Sequence, residues 1–288
     1  MKWAYCTNGF GDHRLTEALE VLAELGYAGA AITLDRGHLD PYSPGLAAEV
    51  SRIAGLLDRL GLSAVVETGG RYTLDPWRKH HPTLISDGAE RRSAFLTTAM
   101  RIAADLGAPV VHLWSGARPD GVTEQEAYAR LAGRCERLLD EADQTGVTLG
   151  FEPEPGMLVQ DLDGFERLRA LLGAHPRFGL TFDVGHAHCV ERDDVAACAR
   201  RALPYTVHVQ IEDMRRGVHE HLEFGEGEID FPRVLAELRG YSGLVAVELA
   251  RHGHAAPQVA RRSIDFLRRA HESGGARVAG AGGPAGGG

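Results

Sequence analysis

Four residues stand where short apolar runs of the sequence close: Glu152 in LGFEPEP, Asp183 in LTFDVGH, His208 in TVHVQIED and Glu248 in LVAVELA. A carboxylate at the end of a buried strand costs on the order of several kcal/mol unless it is paired. Each taken singly has an ordinary explanation, an ion pair with an arginine or a helix cap. Four at successive strand ends would repel one another unless a cation lies between them. Three carboxylates and one imidazole form a hard, oxygen-rich cage that suits Mn²⁺, Mg²⁺, Co²⁺ or Fe²⁺ and also accepts Zn²⁺.

Such a cage needs a scaffold that gathers distant strand ends. Eight short runs read as strands: Lys2 to Cys6, Ala30 to Leu34, Ser63 to Glu67, Val110 to Trp114, Thr148 to Glu152, Gly179 to Asp183, Thr206 to Ile211 and Leu244 to Glu248. Between them lie stretches with apolar residues at helical spacing, such as Leu15, Leu19, Leu22 and Leu25, or Phe95, Ala99, Ile102 and Leu106. Several end in glycine just before a strand (ELGY, DRLGLS, ADLGAP, QTGVTL), as a glycine cap followed by a short turn requires. Eight βα units in this length predict a (β/α)8 TIM barrel, for which roughly 250 residues is typical, with functional side chains on the rim at the strands' C-terminal ends. The alternative, a doubly wound sheet of dinucleotide-binding type, lacks its glycine fingerprint, because Thr7 to Gly11 do not supply G-x-G-x-x-G. No interior linker divides the chain, so one domain is expected over residues 1–270. The Gly/Ala-rich remainder, 271–288, reads as a disordered tail.

Composition narrows the function further. The chain has 288 residues and a formal charge of -9. That acidity weighs against a sequence-independent grip on nucleic acid. Apolar runs are too short for a membrane span, and the opening MKWAYCTNGFGDHR lacks the layout of a signal peptide, so a cytoplasmic location is expected. Cys6, Cys135, Cys189 and Cys198 form no CxxC pair, which argues against a disulfide framework or a zinc ribbon. Nucleophilic catalysis has little support, since there is no G-x-S-x-G elbow and Cys189 beside His188 is the nearest Cys–His pair. The segment Gly225 to Gly227 is too short for a phosphate loop and reads as a turn before a helix capped by Asp230.

In FEPEPG, TFDVGHAH, HVQIED and FGEGEIDF the chain resembles the xylose-isomerase-like TIM-barrel superfamily, which includes ketose epimerases, hydroxypyruvate isomerases, inosose dehydratases and the endonuclease IV group. The resemblance implies Glu152, Asp183, His208 and Glu248 as metal ligands, with Glu152 and Glu248 also serving as base and acid. In isomerases and epimerases of this kind the metal polarises the substrate's carbonyl and hydroxyl and stabilises the enediolate formed when the neighbouring proton leaves. It further implies that His186 reaches substrate or a second metal. Glu67, His112, His219 and His221 stand near positions that bind additional ions in the endonuclease IV group, so more than one ion is an open expectation. Two departures count against a free ketohexose epimerase. Leu158 stands where the ketose-epimerase pattern has a Glu, and Met214, followed by Arg215 and Arg216, where it has an Arg.

The long segment after the third strand, GGRYTLDPWRKHHPTLISDG, would hang over the rim. Its Arg71, Arg78, Lys79, His80 and His81 concentrate positive charge in an acidic chain, as a lid for a substrate phosphate or carboxylate would, or as a solvated loop. Asn8 could bond sugar hydroxyls, and Trp77 or Trp114 could wall the sugar ring. The expected protein is therefore a divalent-metal-dependent isomerase or epimerase of a sugar, sugar phosphate or cyclitol. Its alternatives are an inosose-dehydratase-like lyase and a multi-metal phosphoesterase of the endonuclease IV type. Its partner is a small carbohydrate-like molecule, with a second copy of the chain as a further candidate.

Overall fold

The computed structural model describes the backbone of residues 1–280 and the side chains of residues 1–274. Eight strands are parallel: β1 (Lys2–Cys6), β2 (Gly29–Thr33), β3 (Ser63–Glu67), β4 (Val110–Leu113), β5 (Thr148–Phe151), β6 (Phe178–Asp183), β7 (Thr206–Ile211) and β10 (Leu244–Val247). They close in the order β1-β10-β7-β6-β5-β4-β3-β2, a TIM barrel. Closure removes the doubly wound alternative, because β1 bonds to both β2 and β10. Nearly every strand residue is buried, since helices cover one side and the packed interior the other. Gly150 in β5 shows how tight that interior is. A Cβ there would lie 2.6 Å from Thr181 Oγ1 and 2.9 Å from Val110 Cγ1.

The glycines expected to end helices do so in the left-handed region, with φ of 66° at Gly61, 70° at Gly107 and 76° at Gly146. Asp230 caps the helix Phe231–Glu237 through the Arg233 amide. No helix among the described residues is long and apolar enough to cross a membrane.

Three features position the rim differently from the sequence expectation. A hairpin of β8 (Asp213–Arg215) and β9 (Val218–Leu222) follows β7 and folds His219 and His221 onto the rim. The last helix, Ala256–Gly280, continues past residue 270; residues 281–288 of the expected tail lie outside the described residues. The segment after β3 is a built loop rather than loose chain. Buried Arg92 donates to the carbonyls of Thr68, His80 and Pro82, while Asp75 accepts from the Trp77 and Arg78 amides and from the Arg78 side chain.

Candidate metal and acid–base site

The register between β6 and β7 decides which β7 side chain reaches the rim. Leu180 pairs with Thr206, but a bulge follows and Thr181 pairs with His208, so Asp183 faces Gln210. His208 therefore lies one step below the level of Asp183. It is fully buried, both ring nitrogens lack partners, and its nearest carboxylate is Glu67, with Nε2 3.6 Å from Oε1. The structure brings Glu152 and Asp183 together, as expected, but the imidazole that joins them is His186.

This trio is compact. His186 Nδ1 stands 3.1 Å from Glu152 Oε1 and 3.8 Å from Asp183 Oδ2, and Asp183 Oδ1 accepts from the His186 amide at 2.7 Å. Although 3.1 Å is hydrogen-bond distance, the directions do not satisfy a bond, so Glu152 Oε1, Asp183 Oδ2 and His186 Nδ1 are buried without a hydrogen bond and meet only as neighbouring charges. Native proteins rarely leave such atoms unpaired. Three facing one another are what a shared cation would satisfy. On the far side of Glu152, Oε2 takes a 2.5 Å hydrogen bond from His112 Nε2.

Electrostatics divide these groups. Burial alone would depress His112 and His186. The Glu152 carboxylate overcomes this at His112, and Asp183 with Glu152 does so at His186, lifting them to about 9 and about 10. Burial would raise Glu152, but the two imidazoles outweigh it and hold the carboxylate well below the usual range.

A second cluster shares His186. His219 Nε2 lies 2.9 Å from His186 Nε2, and the three rings of His186, His219 and His221 pack edge-on or tilted with centroids 4.7 to 5.5 Å apart. Burial and its charged neighbour His186 push His219 down to about 4. A proton on His186 Nε2 is thus donated to a neutral His219. Glu212 lies beneath, completely buried, with both oxygens unpartnered and Oε2 3.9 Å from His221 Nδ1. Burial, then the charges of Asp183 and Glu248, raise its acid well above the ordinary value.

Glu248 occupies a different setting. Its Oε1 accepts from Asn8 Nδ2 at 3.0 Å and its Oε2 from Gln210 Nε2 at 2.9 Å. The same Gln210 nitrogen donates to Glu67 Oε1 at 3.0 Å, which also takes the Cys6 thiol at 3.3 Å. Glu67 is thereby satisfied by neutral donors and stands outside both histidine clusters. Burial, then the charges of Glu67, Glu152 and Asp183, push the Glu248 acid well above the usual carboxylate value.

The expected substrate residues separate. Asn8 bridges from Glu248 to a cavity of about 490 Å³ that Arg71 also lines. Lys79 is exposed on the loop and makes no hydrogen bond or ion pair among the described residues. Trp77 is 89% exposed, whereas Trp114 is buried, stacked on His112 and edge-on to His80 with the Arg92 guanidinium over its ring. Trp114 therefore orients His112 rather than offering an open wall. Arg215 and Arg216 turn outward onto the Glu226 and Glu191 carbonyls. The Cys189 thiol is raised by burial, which suits an inert side chain.

Three residues here were passed over in the sequence: Gln210, Glu212 and Glu154. The first two share the inward face with His208 at a spacing of two, a strand periodicity visible in HVQIE. Glu154 was visible in FEPEPG; burial and then the Glu152 charge raise it to about 7.

The family model "Xylose isomerase-like TIM barrel" matches residues 19–270, and the chain belongs to this family. A similar relative is the L-ribulose-5-phosphate 3-epimerase UlaE of Shigella flexneri serotype 5b (strain 8401), 28% identical over 204 residues, covering 67% of this chain and 70% of the relative. Among solved structures, an L-ribulose 3-epimerase superposes with a TM-score of 0.80 at 18% identity, covering 99% of each chain. The IolI protein, crystallised with a zinc atom, gives 0.76 at 17% identity, covering 94% of this chain and 98% of that one. At these identities the structural matches speak for the fold.

Proposed function

We propose that the protein is a divalent-metal-dependent epimerase or isomerase of a small keto-sugar, exchanging a proton on carbon beside the carbonyl. The observation that carries this reading is the set of three buried, mutually facing ligand atoms without hydrogen bonds on Glu152, Asp183 and His186, a few side chains from a carboxylate whose acid is raised. Mixed oxygen and nitrogen donors fit Mn²⁺, Co²⁺, Fe²⁺ or Zn²⁺. A bound ion would supply a Lewis acid for the carbonyl and hydroxyl oxygens. The opposite shifts of the two glutamates suggest a division of work. Glu152, held anionic by His112 and His186, suits ligation. Glu248, raised by burial and by the carboxylates of Glu67, Glu152 and Asp183 and oriented by Asn8 and Gln210, suits taking and returning a proton. The relative's epimerisation of L-ribulose 5-phosphate supports this class.

The His186–His219–His221 cluster favours a second reading, a site of more than one ion, which would open phosphoester hydrolysis. Incubation of the metal-loaded protein with ketopentoses and their phosphates in heavy water tests the first. Deuterium should enter at the carbon beside the carbonyl, and Glu248→Gln should slow this by at least about a hundredfold, as loss of a general base does. Unchanged exchange in Glu248→Gln would overturn that residue's role. Two bound ions together with phosphoester cleavage, and no exchange with any of the sugars, would replace the first reading by the second.

A further inference from the structure

In this acidic chain many arginines are paired with carboxylates, as Arg101 is with Glu141, Arg200 with Glu237 and Arg262 with Glu223. Two at the rim are not. Arg71 gives only Nη2, to the carbonyls of Asn8 at 3.3 Å and Ala250 at 3.5 Å, and Arg36 makes no hydrogen bond or ion pair among the described residues. Both line the cavity of about 490 Å³ next to Glu248, a size that suits a small-molecule site. The one carboxylate in its wall, Asp35, is already capped by the Gly37 and His38 amides at 2.8 and 2.9 Å and pairs with neither guanidinium. Arg71 is held there by a left-handed backbone, with φ of 35° after 60° at Gly70, a conformation that residues with side chains seldom adopt. Its carbonyl accepts from the His80 amide at 2.7 Å. The loop's other arginine, Arg78, is taken by Asp75. Of the segment's cations without a carboxylate, Lys79 is exposed on the loop and Arg71 is the one that lines the cavity.

We infer that this cavity seats the phosphate of a phosphomonoester, placing the sugar against Asn8 and Glu248. The inference rests on the epimerase or isomerase reading and gives its substrate class. A phosphomonoester carries nearly two negative charges and three terminal oxygens. Two guanidiniums on separate loops match that charge and geometry, where a single carboxylate would leave one unanswered.

The test is calorimetric titration of the full-length, Mn²⁺-loaded protein with L-ribulose 5-phosphate and with L-ribulose. The phosphate should improve binding by about a hundredfold, and Arg71→Gln and Arg36→Gln should each remove about tenfold of that advantage, equivalent to ~1.4 kcal/mol, with little change for the free sugar. Arg101→Gln, which removes the same charge far from the cavity, should keep the full advantage. Should Arg71→Gln fail to fold, exposed and unpartnered Arg36 carries the comparison. If neither sugar binds, titration with inorganic phosphate replaces them, with saturable binding weakened in both variants as the expected result. No advantage for phosphate in the wild type, or an advantage retained in both variants, overturns the inference. A phosphate advantage lost in the variants, with no proton exchange on any sugar, would remove the epimerase reading while leaving the phosphate seat in place.

Discussion

Metal binding at Glu152, Asp183 and His186 should release a proton that can be traced to one ring. His186 Nδ1 points between the two carboxylates, 3.1 Å from one and 3.8 Å from the other, and in the metal-free protein their charges hold the ring protonated up to about pH 10. A ligating nitrogen must first give up its proton. At neutral pH that step opposes binding by ~4 kcal/mol, three units at ~1.4 kcal/mol each. The apparent Mn²⁺ affinity should therefore rise about tenfold per pH unit, or about a hundredfold between pH 6 and pH 8. Loss of the free-ion electron paramagnetic resonance signal measures the affinity, and a weakly buffered titration counts the protons. Glu212 and Glu248, whose acids are raised, can add to the release. The discriminating quantity is the difference between wild type and His186→Gln, expected to be about one proton per ion, with weaker binding at pH 8 in the variant. Equal slopes in the two proteins would refute the assignment of His186 as a ligand. The same raised value stabilises the metal-free fold below the ring's ordinary 6.5, a contribution lost as the pH climbs toward about 10.

Two further outcomes follow from packing and hydrogen bonding. Gln210→Leu removes the donor shared by Glu67 and Glu248; leaving buried carboxylate oxygens without that partner should cost about 1.5–3 kcal/mol, read by denaturant unfolding, and an unchanged midpoint would mean that water replaces the amide at no cost. Gly150→Ala forces a Cβ to within 2.6 Å of Thr181 Oγ1 and should cost about 1–3 kcal/mol by overpacking, lowering the melting temperature, whereas an unaltered melting temperature would mean that the strand shifts freely.

The barrel was legible because its strands are buried on both sides and read as short continuous apolar runs between amphipathic helices. Strands β1, β3 and β7 begin and end where the sequence reading placed them. The β8–β9 hairpin was not, since VHEHL is polar and half exposed, and its period of two is short enough to pass for a loop. The β6–β7 bulge is invisible in sequence, because the one-residue shift depends on pairing between chain segments rather than on either segment alone. Because of that shift Asp183 faces Gln210, a residue type that draws no chemical attention, where the register of Leu180 with Thr206 would have brought Val209. Of the proposed site, Glu152, Asp183 and Glu248 drew attention in the sequence because a carboxylate ending an apolar run is conspicuous. Arg36 was missed because nothing local distinguishes an unpaired arginine from a paired one.

Gln210 gives the rim its asymmetry. An imidazole there could join Asp183 and His186 as a donor to metal and would leave Glu248 free to do the same. The amide instead spends its N–H groups on Glu67 and Glu248, and a neutral donor leaves a carboxylate easier to protonate than a cation does. Glu152, with two protonated imidazoles against it, is driven the opposite way. Two glutamates on one rim are thus pushed apart in acidity by burial and by the charges beside them, one toward permanent charge and one toward a proton it can exchange, which is the separation that ligation and proton transfer on one substrate require.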